Sequence, residues 1–356
     1  MTCSERMHAG APGQSDEGPP IYRRVALVGC GRRFVASVAP TLWHTGTVAV
    51  LAADPDPEAR TRVTAIAPHA EGLILVPHLT RQQLINSGAE AIIISSPSGL
   101  HYEHCRTALS CHLPTFVEKP LACTVQDAKS LQVTAQGLLV ASEQRIYRED
   151  LGYARSVIKS GVLGDISEMR YHDSIVPAPH LSRTWRNDPR LAGGGILLDL
   201  GYHTVGSMQW LLDLNGDEIA MMQAKLTTTN LRVEDTAKIT CTAGRVVVRL
   251  DVRLVQSDPR ELIVVRGSRG EFRIERARRK PSIADITVTI RGESPLRHRM
   301  PLDERTDSQS LVEFLCGRAE ASRLDQHVDV LEFLEQAYMC SGQGERGARD
   351  AAEGLA

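Results

Sequence analysis

From residue 23 onward, short unbroken apolar runs alternate with longer stretches of helical spacing. The runs VALVG, VAVLAA, AIIISS, TFVEK and LLVAS are separated by VAPTLW, PEARTRVTAIA, EHCRTALS and DAKSLQVTAQ. An unbroken apolar strand is buried on both faces, so strands spaced by helices predict a parallel sheet covered on both sides. Beyond about residue 165 the period becomes two, in ISEMRYHDS, AKITCTAG, RVVVRLDVRLV, RELIVVRG, GEFRIE and ADITVTIRG. That alternation predicts a large, mostly antiparallel open sheet with one wetter face. The helical LLDLGYHTVGSMQWLLDL follows its first strand, and SQSLVEFLCGR and VDVLEFLEQAYMC carry helical spacing near the end. The pattern is that of an α/β protein: a doubly wound domain over 22–147, then an α+β domain over 148–341 whose last helices can return to the first. Residues 1–21 and 342–356 offer too little apolar surface to offset the entropy of ordering, so a disordered tail and a frayed tail are expected. No internal repeat is found.

Composition changes the picture mainly by exclusion. The 356 residues are 42% apolar, enough for two cores, and a net charge of −2 provides no global positive field. Neither nucleic acid nor a membrane is therefore an expected partner. The basic RIERARRK, residues 273–280, is explained as a solvated turn between strands. Eight cysteines lack any C-x-x-C pair, which predicts buried free thiols in a reducing, cytoplasmic setting. The first twenty residues lack the apolar stretch of a signal peptide, and no apolar run approaches the ~18 residues of a membrane span.

The first chemistry lies at VALVGCGRRF, where a strand ends and a helix begins. There the amides of Gly29, Cys30 and Gly31 are expected to be free for a pyrophosphate, which the helix dipole favours. Gly29 allows the tight turn and Gly31 the close approach of phosphate. Phe34 occupies the third glycine position of G-x-G-x-x-G, so its ring must either push helix and strand apart or turn the helix start. The next strand ends at Asp54, near where a Rossmann fingerprint places a carboxylate on the adenine ribose. An anion there favours NAD over NADP. Asp54 is also placed to cap the helix of PDPEAR. Arg32 or Arg33 could reach a ribose 2′-phosphate, which keeps NADP open.

Two further strands end beside the same crevice. Ser96, Pro97 and His101 follow AIIISS and are placed to line the nicotinamide ribose, with packing at the helix start the alternative for His101. Glu118 and Lys119 follow TFV. Pro120 keeps Lys119 extended and aims it out of the sheet edge, the alternative being an exposed lysine paired with Glu118. The order GCG, ADPDPEA, SSPSGLHYEH, VEKPLA, SGVLGDI, TWRNDPRLAGGG, DLGYH and FLEQAYMCSGQG resembles the Gfo/Idh/MocA oxidoreductases, over roughly residues 23–343. The resemblance implies NAD(P)-dependent oxidation or reduction of sugars, cyclitols and related polyols. It also implies a homodimer or homotetramer formed through the second domain's sheet. Glu118-Lys119-Pro120 matches the family's signature tripeptide, and Lys119 would touch both the nicotinamide and the reacting hydroxyl.

In LAGGGILLDLGYH three glycines lead into a helix, and side chains four apart share a face, so Asp199 and His203 point the same way. Removal of hydride from a secondary alcohol requires a base near neutrality for the hydroxyl proton, which suits His203. Lys119 would stabilise alkoxide character, and Asp199 would orient His203 or hold a neighbouring substrate hydroxyl. The family's catalytic Lys, Asp and His map onto these three positions. The plainer alternative for His203 is an interior histidine bonded to Asp199. Adding His172 makes too thin a set for zinc, and no metal is expected. Arg145, Trp185 and Arg186 are candidates to bind a polyol or an anionic group, against surface salt bridges for the arginines. Where the family commonly has G-x-x-x-R, this chain reads ASEQRIYRED, an atypical substrate wall.

The leading expectation is a dehydrogenase or reductase acting on a ring hydroxyl or ketone of a sugar, amino sugar or cyclitol. A specialised bacterial substrate, such as an aminoglycoside or nucleotide sugar, fits the Arg, Ala and Gly richness and the irregular wall. An NAD-dependent glycosidase of the same fold and a non-catalytic NAD-binding sensor are the alternatives.

Overall fold

The structure is a computed structural model that describes residues 20–342 except 215–217, 279–281, 304–305 and 320–323. The expected tails fall almost wholly outside the described residues. Six strands form the first sheet: β1 (Arg24–Val28), β2 (Val48–Ala53), β3 (His69–Val76), β4 (Ala91–Ile94), β5 (Thr115–Val117) and β6 (Leu139–Ala141). All pairings are parallel, in the order β3-β2-β1-β4-β5-β6. Helices α1 (Ala39–Thr45), α2 (Pro57–Ile66), α3 (Arg81–Asn86), α4 (His101–Leu109) and α5 (Val125–Ala135) supply the crossovers. Strand order reverses between β1 and β4, and the crevice at their carboxyl ends is where open parallel sheets bind ligands. Gly29, Ser95 and Glu118 leave the sheet there. β3 is an edge strand, mostly exposed or half-covered, and only its last four residues, Leu73–Val76, form an apolar run, which the sequence reading missed.

After α6 (Glu149–Lys159), β7 (Ile166–Ile175) enters a second, eight-stranded sheet. Between them and the remaining strands lie α7 (Pro189–Ala192) and α8 (Tyr202–Leu212). Then follow β8 (Ile219–Thr227), β9 (Thr236–Ala243), β10 (Val246–Leu254), β11 (Arg260–Gly267), β12 (Gly270–Ala277), β13 (Ile283–Ile290) and β14 (Leu296–Pro301). The order is β14-β13-β12-β11-β7-β10-β9-β8, antiparallel throughout except for the β7–β10 pair. The two outermost strands escaped the alternation rule, since β14 is almost fully exposed and β8 breaks register between Met221 and Gln223.

Helix α9 (Thr306–Leu315) packs back on the parallel sheet, placing Leu311, Phe314 and Leu315 with Val25, Leu27 and Phe34 in one buried cluster. Helix α10 (Leu324–Cys340) lies against α5, α8 and β8. No described helix is long and apolar enough to cross a membrane.

Two expectations need correction. RIERARRK is not a solvated turn: Arg273 to Ala277 belong to β12, and Arg276 and Arg278 reach buried carboxylates; Arg279 and Lys280 lie outside the described residues. The cysteines are free but not uniformly buried. Cys30, Cys105 and Cys241 are interior, Cys111, Cys123 and Cys316 are partly covered, Cys340 is exposed, and Cys3 lies outside the described residues.

Candidate active site

At the end of β1, Gly29 takes φ +84°, and a side chain there would collide with the backbone of Ser95 and Ser96. At Gly31 an added Cβ would meet nothing within 4 Å, so the turn opens onto free space at a helix start, the shape a pyrophosphate needs. The amides differ from expectation, because two of the three are already bonded. Gly29 N–H donates to the Ala53 carbonyl (2.9 Å) and Cys30 N–H to Asp54 Oδ2 (2.7 Å). Of the three, only the Gly31 amide has no bond to a described residue. Burial, with Asp54 beside it, pushes the Cys30 thiol up to about 12 and keeps it neutral.

Phe34 is fully buried in the cluster under β1 and β2. Its ring is accommodated by a π-turn, Phe34–Val38, which widens the helix start instead of separating helix from strand. Asp54 is not the cap of α2: Asp56 fills that role for Glu58 N–H, while Asp54 Oδ1 accepts from Asp56 N–H (2.9 Å). Asp54 thus fixes the glycine turn and its own loop, and remains partly exposed for a ribose. Arg60 bonds the Asp54 carbonyl (2.5 Å) and Arg62 the Cys30 carbonyl (3.5 Å), two cations that the sequence reading missed.

Ser96 and Pro97 sit on the crevice edge, and Ser96 Oγ pairs with His104 Nδ1 (2.9 Å). His101 does not line a ribose site. It is buried, with Nδ1 2.7 Å from the Pro120 carbonyl and Nε2 2.9 Å from the Ser96 carbonyl. It is a positioning residue that ties the loop after β4 to the Lys119–Pro120 turn, whose peptide is cis. Arg32 is exposed. Arg33 crosses the crevice to Glu118 (2.6 Å), so Glu118 is engaged there and not by Lys119.

Lys119 instead reaches the second half of the chain. Its ammonium donates to Asp199 Oδ1 (2.7 Å) and to the Asp199 carbonyl (2.6 Å), leaving a third N–H. Burial would raise the Asp199 carboxyl, but Lys119 and Arg186 outweigh it and hold the group at about 2. Arg186 Nε lies 3.5 Å from Asp199 Oδ2 and its guanidinium stacks 4.3 Å above Trp185. Trp185, Arg186, Arg32 and Arg33 border one cleft of ≈ 370 Å³. Through Asp199 and Ile175 it adjoins a cavity of ≈ 280 Å³ bordered by Lys119, His203, Arg145 and Arg278.

Asp199 and His203 both face this second cavity, as their spacing predicted, although the local backbone is a π-turn, Leu197–Gly201, leading into α8. They do not bond each other, so the interior-histidine alternative fails, and the imidazole has no hydrogen-bond partner among the described residues. Its pKa lies well below 6.5 because burial disfavours the cation and Lys119, Arg145, Arg278 and Arg33 repel it. His203 is therefore neutral at pH 7. Arg145 is no surface residue: it bonds Tyr171 Oη (2.6 Å), Asp173 (2.6 Å) and Glu261 (3.1 Å) beneath the cavity. His172, on β7, lies 3.5 Å from Asp251 instead.

The glycines before the helix are less a flexible lead than a tight seat. Any Cβ at Gly195 would overlap Glu234, a buried carboxylate that accepts from the N–H groups of Gly195 (2.8 Å) and Leu197 (3.1 Å) and from Tyr338 Oη (2.8 Å). No sequence motif marked Glu234. Glu234→Ala strands those donors and is expected to destabilise the fold by about 3 kcal/mol, lowering Tm in a calorimetric scan. An unchanged Tm means that water replaces the carboxylate.

A glycine turn at the switch point of a doubly wound sheet, facing an ammonium–imidazole cleft, defines a dinucleotide-dependent oxidoreductase architecture. Two family models agree: residues 23–141 match the oxidoreductase family NAD-binding Rossmann fold, and residues 152–273 match the GFO/IDH/MocA C-terminal domain. The chain belongs to the Gfo/Idh/MocA oxidoreductases. Among curated relatives, the glucose-6-phosphate 3-dehydrogenase of Bacillus subtilis is 30% identical over 41% of this chain and 43% of its own length. The putative UDP-kanosamine synthase oxidoreductase subunit of Amycolatopsis mediterranei is 28% identical over 53% and 51%. The chain thus spans about half the length of the curated relatives it matches. In fold it is similar to the 3-ketoreductase KijD10 of Actinomadura kijaniata, crystallised with NADP and TDP-benzene (TM-score 0.76, 17% identity, 91% and 98% coverage). It is also similar to the WlbA dehydrogenase of Bordetella pertussis, in complex with NADH and UDP-GlcNAcA (TM-score 0.72, 17% identity, 90% and 96%).

Proposed function

We propose that the protein is an NAD(P)-dependent dehydrogenase or reductase acting on a ring hydroxyl or ketone of a sugar, amino sugar or cyclitol. The observation that carries this reading is the joint placement of the Lys119 ammonium and the unbonded His203 imidazole on one cavity, next to the dinucleotide crevice. The Gly29–Gly31 turn and Asp54 fit the pyrophosphate and adenine ribose, and Glu118, Lys119, Ser96 and Pro97 fit the nicotinamide end. The nicotinamide, when bound, supplies the hydride acceptor or donor. In the oxidative direction His203 takes the proton of the substrate hydroxyl on an imidazole nitrogen while the carbinol hydride leaves. The third N–H of Lys119 donates to the same oxygen as charge builds there. Asp199, ionised, accepts from a neighbouring hydroxyl and holds the ring in register. In reduction the same groups return the proton.

The test is to mix the protein with NAD or NADP and a panel of polyols, or with the reduced cofactors and keto-sugars, and follow absorbance of the reduced nicotinamide. Turnover with none of them leaves a sensor as the better reading; glycoside cleavage without net cofactor change identifies the glycosidase. Asp54 gives a cofactor-specific check. Asp54→Ser is expected to weaken NAD binding about tenfold and to improve NADP relative to NAD, since it removes the carboxylate that repels a 2′-phosphate. Fluorescence titration with both reduced cofactors reads it, and an unchanged NADPH/NADH ratio removes Asp54 from the ribose site.

Homodimers or homotetramers through the second sheet belong to the same proposal. Its face presents paired charges, such as Glu168 with Arg170 and Arg266, and Arg273 with Glu275. A contact built on them loosens with salt, which sedimentation at two ionic strengths measures.

A further inference from the structure

Asp173 on β7 and Glu261 on β11 are direct cross-strand partners, and neither is exposed to solvent. Like charges in that position repel, so the pair is stable only with cations supplied. Four arrive: Arg145 and Arg278 on Asp173, and Arg145, Arg148 and Arg276 on Glu261. Arg148 takes one more carboxylate, Asp150. Four guanidiniums thus face three carboxylates. Above them the cleft adds Lys119 and Arg186 on the single carboxylate of Asp199. Arg33 is balanced by Glu118, His203 is neutral, and Asp307 stands exposed at the rim. The wall around the cavity therefore carries a surplus of positive charge. A purely structural network has no use for such a surplus, because an uncompensated charge away from bulk water is expensive. The surplus also has an outlet: Arg278 spends Nε and Nη2 on Asp173, its Nη1 has no hydrogen-bond partner among the described residues, and it borders the cavity with Lys119 and His203.

We propose that the substrate carries an oxyanion group, a carboxylate or a phosphate, and that Arg278 binds it, fixing which hydroxyl meets Lys119 and His203. The inference rests on the dehydrogenase reading of the same cavity and names its substrate class. A guanidinium suits either oxyanion through parallel N–H donors, and a neutral polyol leaves Arg278 Nη1 to water.

The experiment is calorimetric titration of the NAD-loaded protein with matched neutral and anionic ligands at low salt. The probes are glucose, glucuronate and glucose 6-phosphate, with the corresponding galactose set. The anionic members are expected to bind at least tenfold more tightly than their neutral counterparts, with the advantage shrinking as salt is raised. Tighter binding of the uronates than of the phosphates, or the reverse, identifies the oxyanion. In Arg278→Gln the anionic-to-neutral ratio should fall about tenfold or more, and in Arg278→Lys, which retains the charge for Asp173, it should fall less. Equal binding of neutral and anionic members, no binding of any anionic member, or an unchanged ratio in Arg278→Gln overturns the proposal. The dehydrogenase reading fails by a different readout: anionic ligands bind, yet neither cofactor is reduced.

Discussion

Lys119→Met should lower kcat/KM for the best substrate by about 10²–10³ while NAD binds within about threefold of its original affinity. The ammonium is held by two acceptors, both on Asp199, so its remaining N–H has a fixed direction into the cavity. Such a preset donor stabilises an alkoxide far more than a ground-state hydroxyl, which places the loss in the chemical step. Methionine keeps the stem packed, and Asp199 keeps Arg186 as partner, so Tm should move little. Lys119→Arg should not restore activity, because a planar fork cannot reproduce the point contact of an ammonium. Steady-state rates with direct NAD titration separate the two effects, and a loss under tenfold would falsify the assigned role.

His203→Asn should lower kcat by about 10²–10⁴, with partial recovery on adding free imidazole. The pH profile follows from the depressed pKa. Burial first, then Lys119, Arg145, Arg278 and Arg33, keep the folded imidazole unprotonated below its ordinary value of 6.5. The proposed base is therefore ready throughout the neutral range, and the acidic limb of kcat/KM should lie below pH 6.5. The stability sign is the same: under pH 6.5 the unfolded chain binds a proton at His203 that the folded chain refuses, so folding stability falls as pH drops through that value. An acidic limb at or above pH 7 that survives in His203→Asn would assign the proton transfer elsewhere.

The sequence disclosed whatever depends on period and punctuation. Unbroken apolar runs identified five of the six parallel strands, and alternation identified the interior of the second sheet. The outlying strands β3, β8 and β14 were missed: β14 is almost fully exposed, β8 breaks register, and the apolar run of β3 is only four residues long. Lys119, Asp199 and His203 were legible because each sits at a strand end or on one helical face. Glu234 was not, since a carboxylate accepting distant backbone N–H groups leaves no local spacing. Arg276 and Arg278 carried a signal that was misread: their separation by two puts both on one face of an extended strand, but a cluster of basic residues suggested solvent. Asp54 was assigned to the correct loop yet not to the turn amide it holds, because that bond joins residues 24 apart.

The position of β7 has a consequence for biosynthesis. It is made before α8, yet its neighbours are β10, ending at Leu254, and β11, ending at Gly267. Until the ribosome has released Leu254 β7 has two bare edges, and it keeps one until Gly267 follows, so the second sheet's central ladder closes late. The nucleotide half, complete apart from α9, can condense first. A nascent or truncated chain stopping near residue 240 would carry a finished crevice beside an adhesive, unpaired strand.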